Sequence, residues 1–509
     1  MGDYLLGIDA GNTVIKAVIF DRTGQELAHG AQEGHSSMPY PGHVERDLDE
    51  LWANAKRVIR TCLDKAGIAA TDIAAIGCAG HGNGLYALDR NGEPLLGIQS
   101  LDTRATSLVE EWATEGVGDR TYEIGRQRPW PSQTPTLLAW LKRHRPELFE
   151  RIGTVFFSKD FVVNRLTGRR VSEVSDMSGA GLLDLAARRY DRALMAAYGL
   201  ADCMNLLPPL IESADIAGTV TEEVAAQTGL AAGTPVIGGL FDVIASALGS
   251  GVSRTGSASI IAGTWSINQV IIDRPALDGP VFMSSTFDRS RYMAMENSAT
   301  SAANLEWLVR EFFVGEYQDG LSPFDGCCAL AAAIEPAPDD PLYHPYLYGA
   351  QQDGHARAGF YGVAGWHGKG HLVRALLEGV AFGHRQHIET IRKAGAIFDE
   401  AVLSGGGSRS RLWPQVFADV LDMPVSVAVS RETGALGAAI AAGTGVGLFA
   451  NFTEGANAMV RVERHYRPND ALTAHYNRRY GLYRDIAEAM TPLWRRLSAT
   501  KGQVAGAAA

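Results

Sequence analysis

The stretch Leu5-Leu6-Gly7-Ile8-Asp9-Ala10-Gly11-Asn12-Thr13-Val14-Ile15-Lys16-Ala17-Val18-Ile19-Phe20 decides how the fold is read. Leu5 to Asp9 reads as a strand, Ala10 to Thr13 as a turn, and Ile15 to Phe20 as a second strand ending at Asp21-Arg22-Thr23-Gly24. Apolar runs split by a Gly-bearing turn are the pattern of a β-hairpin. A third strand is expected around Glu26 to His29. Beyond the Gly/Pro-rich Ser36 to Gly42, Leu48 to Ala66 carries apolar residues at helical spacing. Ile73 to Cys78 then reads as a short buried strand entering the turn Gly80-His81-Gly82-Asn83-Gly84. Strands alternating with helices put this half in the α/β class.

The same hairpin returns further along. Shifted by 252 residues, it falls on Ala258 to Arg274, so that Ala10-Gly11 meets Ala262-Gly263 and Asp21-Arg22 meets Asp273-Arg274. Ile8, Ile15, Val18 and Ile19 meet Ile260, Ile267, Val270 and Ile271. Two apolar hairpins can look alike by chance, but the echo also fits two related domains whose turns face each other across a cleft. Asp9 has Ile261 opposite it, so only the first turn carries a carboxylate. The second half continues as α/β. Helices are expected over Asn304 to Phe313, His371 to Lys393, Ser410 to Leu421, Thr433 to Ala442 and Leu472 to Leu497, and strands over Ala401 to Leu403 and Val425 to Val429. The chain is read as domains over 1–248 and 249–497 with a loose tail over 498–509, the link lying between Gly239 and Ser257.

Length and composition agree. At 509 residues the chain should form two or more domains, and 46% hydrophobic with 20% charged residues excludes a disordered, collagenous or coiled-coil protein. Lys and Arg total 46 against 57 Asp and Glu, a net charge of −11 that argues against a dedicated nucleic-acid binder. The five cysteines have no zinc or CxxC spacing, which suggests a reducing compartment. The N-terminus lacks the basic and cleavage regions of a signal peptide, and the apolar runs are too short to span a bilayer. A cytoplasmic protein without membrane partners is expected.

Several chemistries lack their motifs. There is no G-x-x-x-x-G-K-[ST], no G-x-G-x-x-G opening a helix behind a strand, no G-x-S-x-G and no H-E-x-x-H. What stands out is a set of glycine turns at strand ends: Gly11-Asn12-Thr13, Gly263-Thr264 and Gly405-Gly406-Gly407-Ser408. Any one could be a plain hairpin or βα loop. Together they fit a nucleotide polyphosphate gripped between two domains, since glycine lets backbone N–H groups approach an anion. Asp9, where the first strand enters its turn, could bond its own backbone or hold Mg2+ beside phosphate. Asp242 follows Gly238-Gly239-Leu240-Phe241 and precedes an apolar helix. It could cap that helix, or take the proton of a substrate hydroxyl attacking a γ-phosphorus. His81, Asn83, Asp102 and Arg104 are candidates for hydroxyl recognition, although surface loops often carry such residues without function.

Taken together, these elements resemble the FGGY family of carbohydrate kinases over essentially the whole chain. Leu6 to Thr13 looks like the family's first phosphate motif. Thr134-Pro135-Thr136-Leu137-Leu138-Ala139-Trp140-Leu141 resembles its first signature, with Leu137 where Lys is usual. Gly359-Phe360-Tyr361-Gly362-Val363, His371-Leu372 and Leu377-Glu378-Gly379 resemble the second. Leu403 to Ser410 resembles the adenosine motif, with Ser410 in place of Asn, and is followed by Gln415 and Ala418-Asp419. The resemblance implies two actin-like (ribonuclease-H-like) α/β domains with an inter-domain cleft, ATP and Mg2+, a small-molecule sugar and a homodimer. It makes Asp242 the catalytic base and Asp9 the Mg2+ residue, with Gly11, Asn12, Thr13 and Lys16 near the phosphates. Gly263 and Thr264 would meet the transferred phosphoryl group, and Gly406, Gly407 and Gln415 the adenosine. Sugar hydroxyls would fall to His81, Asp102, Arg104 and Asp242.

Many family members carry W-x-D-x-R in the sugar site, whereas Ser100-Leu101-Asp102-Thr103-Arg104 lacks the indole, so the carbon chain of the substrate should be contacted differently. Gly238 to Val243, Gly263-Thr264-Trp265 and Asn304-Leu305-Glu306-Trp307 look most like the L-xylulose/3-keto-L-gulonate kinase branch, ahead of D-xylulose, erythritol or glycerol kinases. An actin-like ATPase that phosphorylates no sugar, and a sugar-responsive binding protein, are the readings of another class. Neither would need all of Asp9, Thr264, Asp242 and the two polar loops.

Overall fold

The structure, a computed structural model, describes residues 2–313, 322–350 and 353–505. It divides into two compact units. The first takes the chain up to Thr255 with Ile271–Ala294 and Ser430–Arg461; the second takes Gly256–Val270, Met295–Val429 and the chain from Val462 onward.

In the first unit, β1 (Tyr4–Ala10), β2 (Val14–Asp21) and β3 (Glu26–Glu33) form the expected meander. Helix α1 (Leu48–Ala66) starts where the Asp47 side chain accepts from the N–H groups of Asp49 and Glu50. It stops at Gly67, whose φ of 64° suits glycine and whose N–H donates to the Leu63 carbonyl. Leu48, Leu51, Ala55, Val58, Ile59 and Cys62 form its buried stripe, packed into a core with Ile8, Ile15 and Ile19. Strand β4 (Ile73–Gly80) is buried throughout and runs parallel to β1, which is why its sequence is an unbroken apolar run. With β5 (Ile216–Thr219) and β6 (Pro235–Ile237) the sheet order is β3-β2-β1-β4-β6-β5. Helix α2 (Asp242–Gly249) follows.

The second unit repeats this plan. β7 (Gly256–Ala262), β8 (Ser266–Ile272), β9 (Phe398–Ser404), β10 (Val425–Ala428) and β11 (Val462–Tyr466) lie in the order β8-β7-β9-β10-β11. Pairings along it are antiparallel, parallel, parallel and antiparallel, as they are along β2-β1-β4-β6-β5. The internal echo is therefore structural. One detail departs from the constant offset, because the second turn is a residue shorter: Ala10 pairs with Ile15, but Ala262 pairs with Ser266. A one-residue change in a turn moves every later side chain to the other face, so Ser266 rather than Ile267 is the counterpart of Ile15, and Ile267 that of Lys16.

Expected helices stand at Ala303–Phe312, Lys369–Lys393 and Trp413–Leu421. The last begins after the apolar pattern does because the Ser410 hydroxyl accepts from the N–H groups of Leu412 and Trp413, forming a turn first. The C-terminal helix runs Asp470–Ala505, so its backbone extends into the segment expected to be loose; residues 506–509 lie outside the described residues.

Helix α3 (Thr433–Gly445) belongs to the first unit and is buried continuously from Gly434 to Gly443. A Cβ added at Gly7 would sit 2.0 Å from the Ala435 carbonyl oxygen, and one at Gly437 1.9 Å from that of Ala245. Backbone thus touches backbone where α3 meets β1 and α2. Only glycine permits that approach, which accounts for a helix of small residues with no polar face.

Candidate active site

Strand register sets the first pair of acids. Ala10 of β1 and Phe241 both pair with Gly80 of β4, and Asp9 and Leu240 both pair with Ala79. Asp9 therefore stands next to the last residue of β1, and Asp242 follows Phe241 at the same end of the strands. Asp9 does not behave as a turn-former: its Oδ1 is buried without a hydrogen-bond partner. Burial pushes its carboxyl up to about 6, opposed by Lys16 and reinforced by Glu432. Asp242 is the first residue of α2, whose N-cap is Phe241. Burial, then the charges of Asp9 and Asp176, hold its carboxyl well above the usual range, and the Val243 N–H opposes them. Two mutually repelling carboxylates, one with an orphaned oxygen, are a donor set that suits Mg2+, which takes one or two carboxylates and fills its shell with water and phosphate oxygens.

Around Asp9, the turn Gly11-Asn12-Thr13 is held from behind. Arg46 Nη1 donates to the Gly11 carbonyl at 2.8 Å, Gln99 Nε2 to the Asn12 carbonyl at 2.6 Å, and the Gly34 N–H to the Thr13 carbonyl at 2.9 Å. Asn12 Nδ2 donates to the hydroxyl of Ser100 at 2.8 Å. Lys16 sits opposite Asp9 in the hairpin and its ammonium lies 2.7 Å from Glu432 Oε2. A Cβ at Gly434 would be 2.5 Å from Asp9 Oδ2, so the start of α3 closes one side of the carboxylate.

His81, 3% exposed, bonds Tyr86 Oη through Nε2 at 2.7 Å, while its Nδ1 is buried without a partner. Burial and the nearby Arg46 push the imidazole down to about 3, so it is neutral at physiological pH. Asn83 Oδ1 is likewise buried and unbonded. Asp102 and Arg104 instead satisfy each other. Arg104 Nε and Nη2 lie 2.9 and 2.8 Å from the two Asp102 oxygens, Nη2 also reaches Glu45, and the Val44 N–H donates to Asp102. Trp140 lies beside the guanidinium, 5.4 Å from ring centroid to Cζ, so an indole of the first signature backs this loop.

In the second unit, the two remaining glycine turns meet. β7 and β9 are adjacent and parallel, and a Cβ at Gly405 (φ 83°) would lie 2.8 Å from the Ala262 carbonyl and 3.1 Å from the Gly263 nitrogen. The Ala302 N–H donates to the Gly263 carbonyl at 2.7 Å and the Ser301 N–H to that of Thr264 at 3.0 Å. Thr264 is exposed, and Gly406–Arg409 forms a single 3₁₀ turn containing Gly406 and Gly407. Gln415 donates to Asp419 and to the Arg467 carbonyl, both at 2.8 Å.

Sequence reading missed a second group of ionisable residues in the first unit. Lys159 is fully buried, with its ammonium 2.6 Å from Asp160, 3.0 Å from Asp176 and 3.3 Å from Glu173. One signal was available: Lys159-Asp160 interrupts an apolar run from Val155 to Val163, where an ion pair is out of place unless it is buried and paired.

The family model described as "FGGY family of carbohydrate kinases, N-terminal domain" matches residues 4–249, and its C-terminal counterpart matches 258–446. The chain belongs to the FGGY family of carbohydrate kinases. It is 34% identical over 496 residues to L-xylulose/3-keto-L-gulonate kinase of Escherichia coli (strain K12), covering 96% of this chain and 98% of that protein. It is 33% identical over 491 residues to autoinducer-2 kinase of Klebsiella pneumoniae, covering 92% and 90%. The solved structure of xylulose kinase from Rhodospirillum rubrum, 28% identical, superposes with a TM-score of 0.86 over 97% of this chain and all of that one. This FGGY protein is thus an ATP-dependent sugar kinase with two actin-like domains. Among the described residues no helix is long and apolar enough to cross a membrane.

Proposed function

We propose that this kinase transfers the γ-phosphoryl group of ATP to a hydroxyl of a ketopentose or keto sugar acid of the L-xylulose/3-keto-L-gulonate type. The 34% identity across nearly the full length of such a kinase carries the substrate class, and the stretches 238–243, 263–265 and 304–307 support it. Relatives that act as autoinducer-2 kinases stand at almost the same identity, so that substrate is the second reading.

In this mechanism the chain mainly positions groups and balances charge. Asp242 accepts the proton of the sugar hydroxyl as its oxygen attacks the γ-phosphorus. Its raised proton affinity suits a general base working near neutral pH. The turn Gly11-Asn12-Thr13 and Lys16 face the phosphates, Gly263 and Thr264 the transferred group, and Gly406, Gly407 and Gln415 the adenosine. His81 offers a neutral imidazole to a sugar hydroxyl, and the Asp102–Arg104 pair frames the acceptor loop. Asp9 would hold Mg2+, which when bound neutralises phosphate charge. All five cysteines are free thiols, which favours the reducing cytoplasm.

A coupled ADP-release screen across L-xylulose, 3-keto-L-gulonate, D-xylulose, erythritol, glycerol and autoinducer-2 tests the proposal. The expected outcome is the highest kcat/KM on one of the first two. Preference for autoinducer-2 establishes the second reading, and ADP release indifferent to every acceptor overturns both.

A further inference from the structure

We infer that Asp176 is a second acidic contact to the sugar acceptor and fixes the enzyme's demand for one hydroxyl beside the reacting one; this rests on the sugar-kinase reading and deepens it. The carboxylates around Lys159 are not equivalent. Asp160 accepts from the Lys159 ammonium, from the Ser172 hydroxyl at 2.6 Å and from the Phe157 N–H at 3.2 Å. Glu173 accepts from the N–H and hydroxyl of Ser175 (2.6 and 2.8 Å), the Asp176 N–H (2.9 Å) and the Ser213 hydroxyl (2.6 Å). Both have their lone pairs used within the protein. Asp176 does not: it is 0% exposed, and neither carboxylate oxygen has a hydrogen-bond partner beyond the ion-pair contact with Lys159. Buried polar groups are nearly always bonded, so an exception calls for an explanation.

Its surroundings point to the acceptor. Asp176 Oδ1 would lie 2.8 Å from a Cβ at Gly82, between His81 and Asn83, whose Nδ1 and Oδ1 are also buried and unbonded. The Phe241 ring packs on both Gly82 and Gly179, where added Cβ atoms would fall 2.5 and 2.9 Å from it. The Phe241 N–H donates to Ser175 at 3.0 Å. The residue preceding Asp242 is thus fastened to the helix Val174–Gly179 that carries Asp176. Unsatisfied donors and acceptors gathered beside the base match a chain of adjacent hydroxyls, each able to give and take a hydrogen bond. Lys159, Asp160 and Glu173 are the charged groups around Asp176, and Asp242 feels its charge. Burial, against the pull of Lys159, holds the Asp176 carboxyl above the usual carboxylate range.

Asp176→Asn tests this on the full-length enzyme with the best sugar from the screen and its monodeoxy analogues. KM for the sugar should rise about 10- to 100-fold, the range for a hydrogen bond involving an ionisable group, with KM for ATP unchanged. One deoxy analogue should suffer that loss in the wild type and none further in Asp176→Asn. Ser172→Ala, which removes a bond from Asp160 in the same cluster, should lower thermal stability and leave the sugar KM alone. An unchanged sugar KM in Asp176→Asn, or an equal rise in Ser172→Ala, overturns the inference. Should Asp176→Asn not fold, Asp176→Glu, which keeps the charge but displaces the carboxylate, is expected to raise the sugar KM while that of ATP stays level, and an unchanged sugar KM overturns the inference. A wild type that phosphorylates no sugar sinks the functional reading as well, whereas an active wild type with an indifferent Asp176→Asn sinks this inference alone.

Discussion

Asp9 keeps an unbonded oxygen in a buried place, and that has a measurable cost. Its carboxyl is raised from 3.8 to about 6, so as pH climbs from 4 to 6 the unfolded chain gives up this proton while the folded one retains it. Stability falls across that window and the loss then persists at higher pH. Asp9→Asn should therefore be more stable than wild type by about 2–3 kcal/mol at pH 7.5 and equal to it at pH 3.5, as urea titrations would show. The same variant should lose on the order of a hundredfold in Mg2+-dependent turnover. Destabilisation at pH 7.5 would mean that the carboxylate holds its turn. Asp9 and Asp242 were legible in the sequence because each stands alone between an apolar strand and a small or apolar neighbour. Asp176 was not, since Lys159, Glu173, Gly82 and Phe241 become its neighbours only after four separate stretches fold together.

At the level of elements, alternation and glycine turns were enough to read the hairpins, α1 and β4. The offset between the two hairpins was read one residue wrong past the turn, because apolar identity along a strand does not report turn length, whereas backbone pairing does. The small-residue helix α3 was legible as a helix, but nothing local revealed that it packs on β1 and α2. That contact is recorded in glycines far apart in sequence, at 7 and 437. Gly437→Ala would drive a methyl into the Ala245 carbonyl, 1.9 Å away. Unfolding free energy should drop by about 1–3 kcal/mol, read as a lower denaturation midpoint with an unchanged slope. A midpoint equal to wild type would show that α3 can shift away without loss.

For the whole molecule, the repeated strand order gives each unit a glycine turn at the end of its first strand, with Asp9 beside the first turn and Ile261 in the matching place beside the second. The kinase family was legible because the motifs that carry its resemblance lie in short contiguous stretches. The sugar's identity was not, since side chains from distant loops decide it. The most direct measurement is turnover and substrate binding by Asp242→Asn, followed by coupled ADP release and by calorimetry. ATP and sugar should bind within about twofold of wild type while kcat falls by about 10²–10⁴-fold, the span of a lost general base. Turnover close to wild type would contradict the assignment of proton transfer to Asp242.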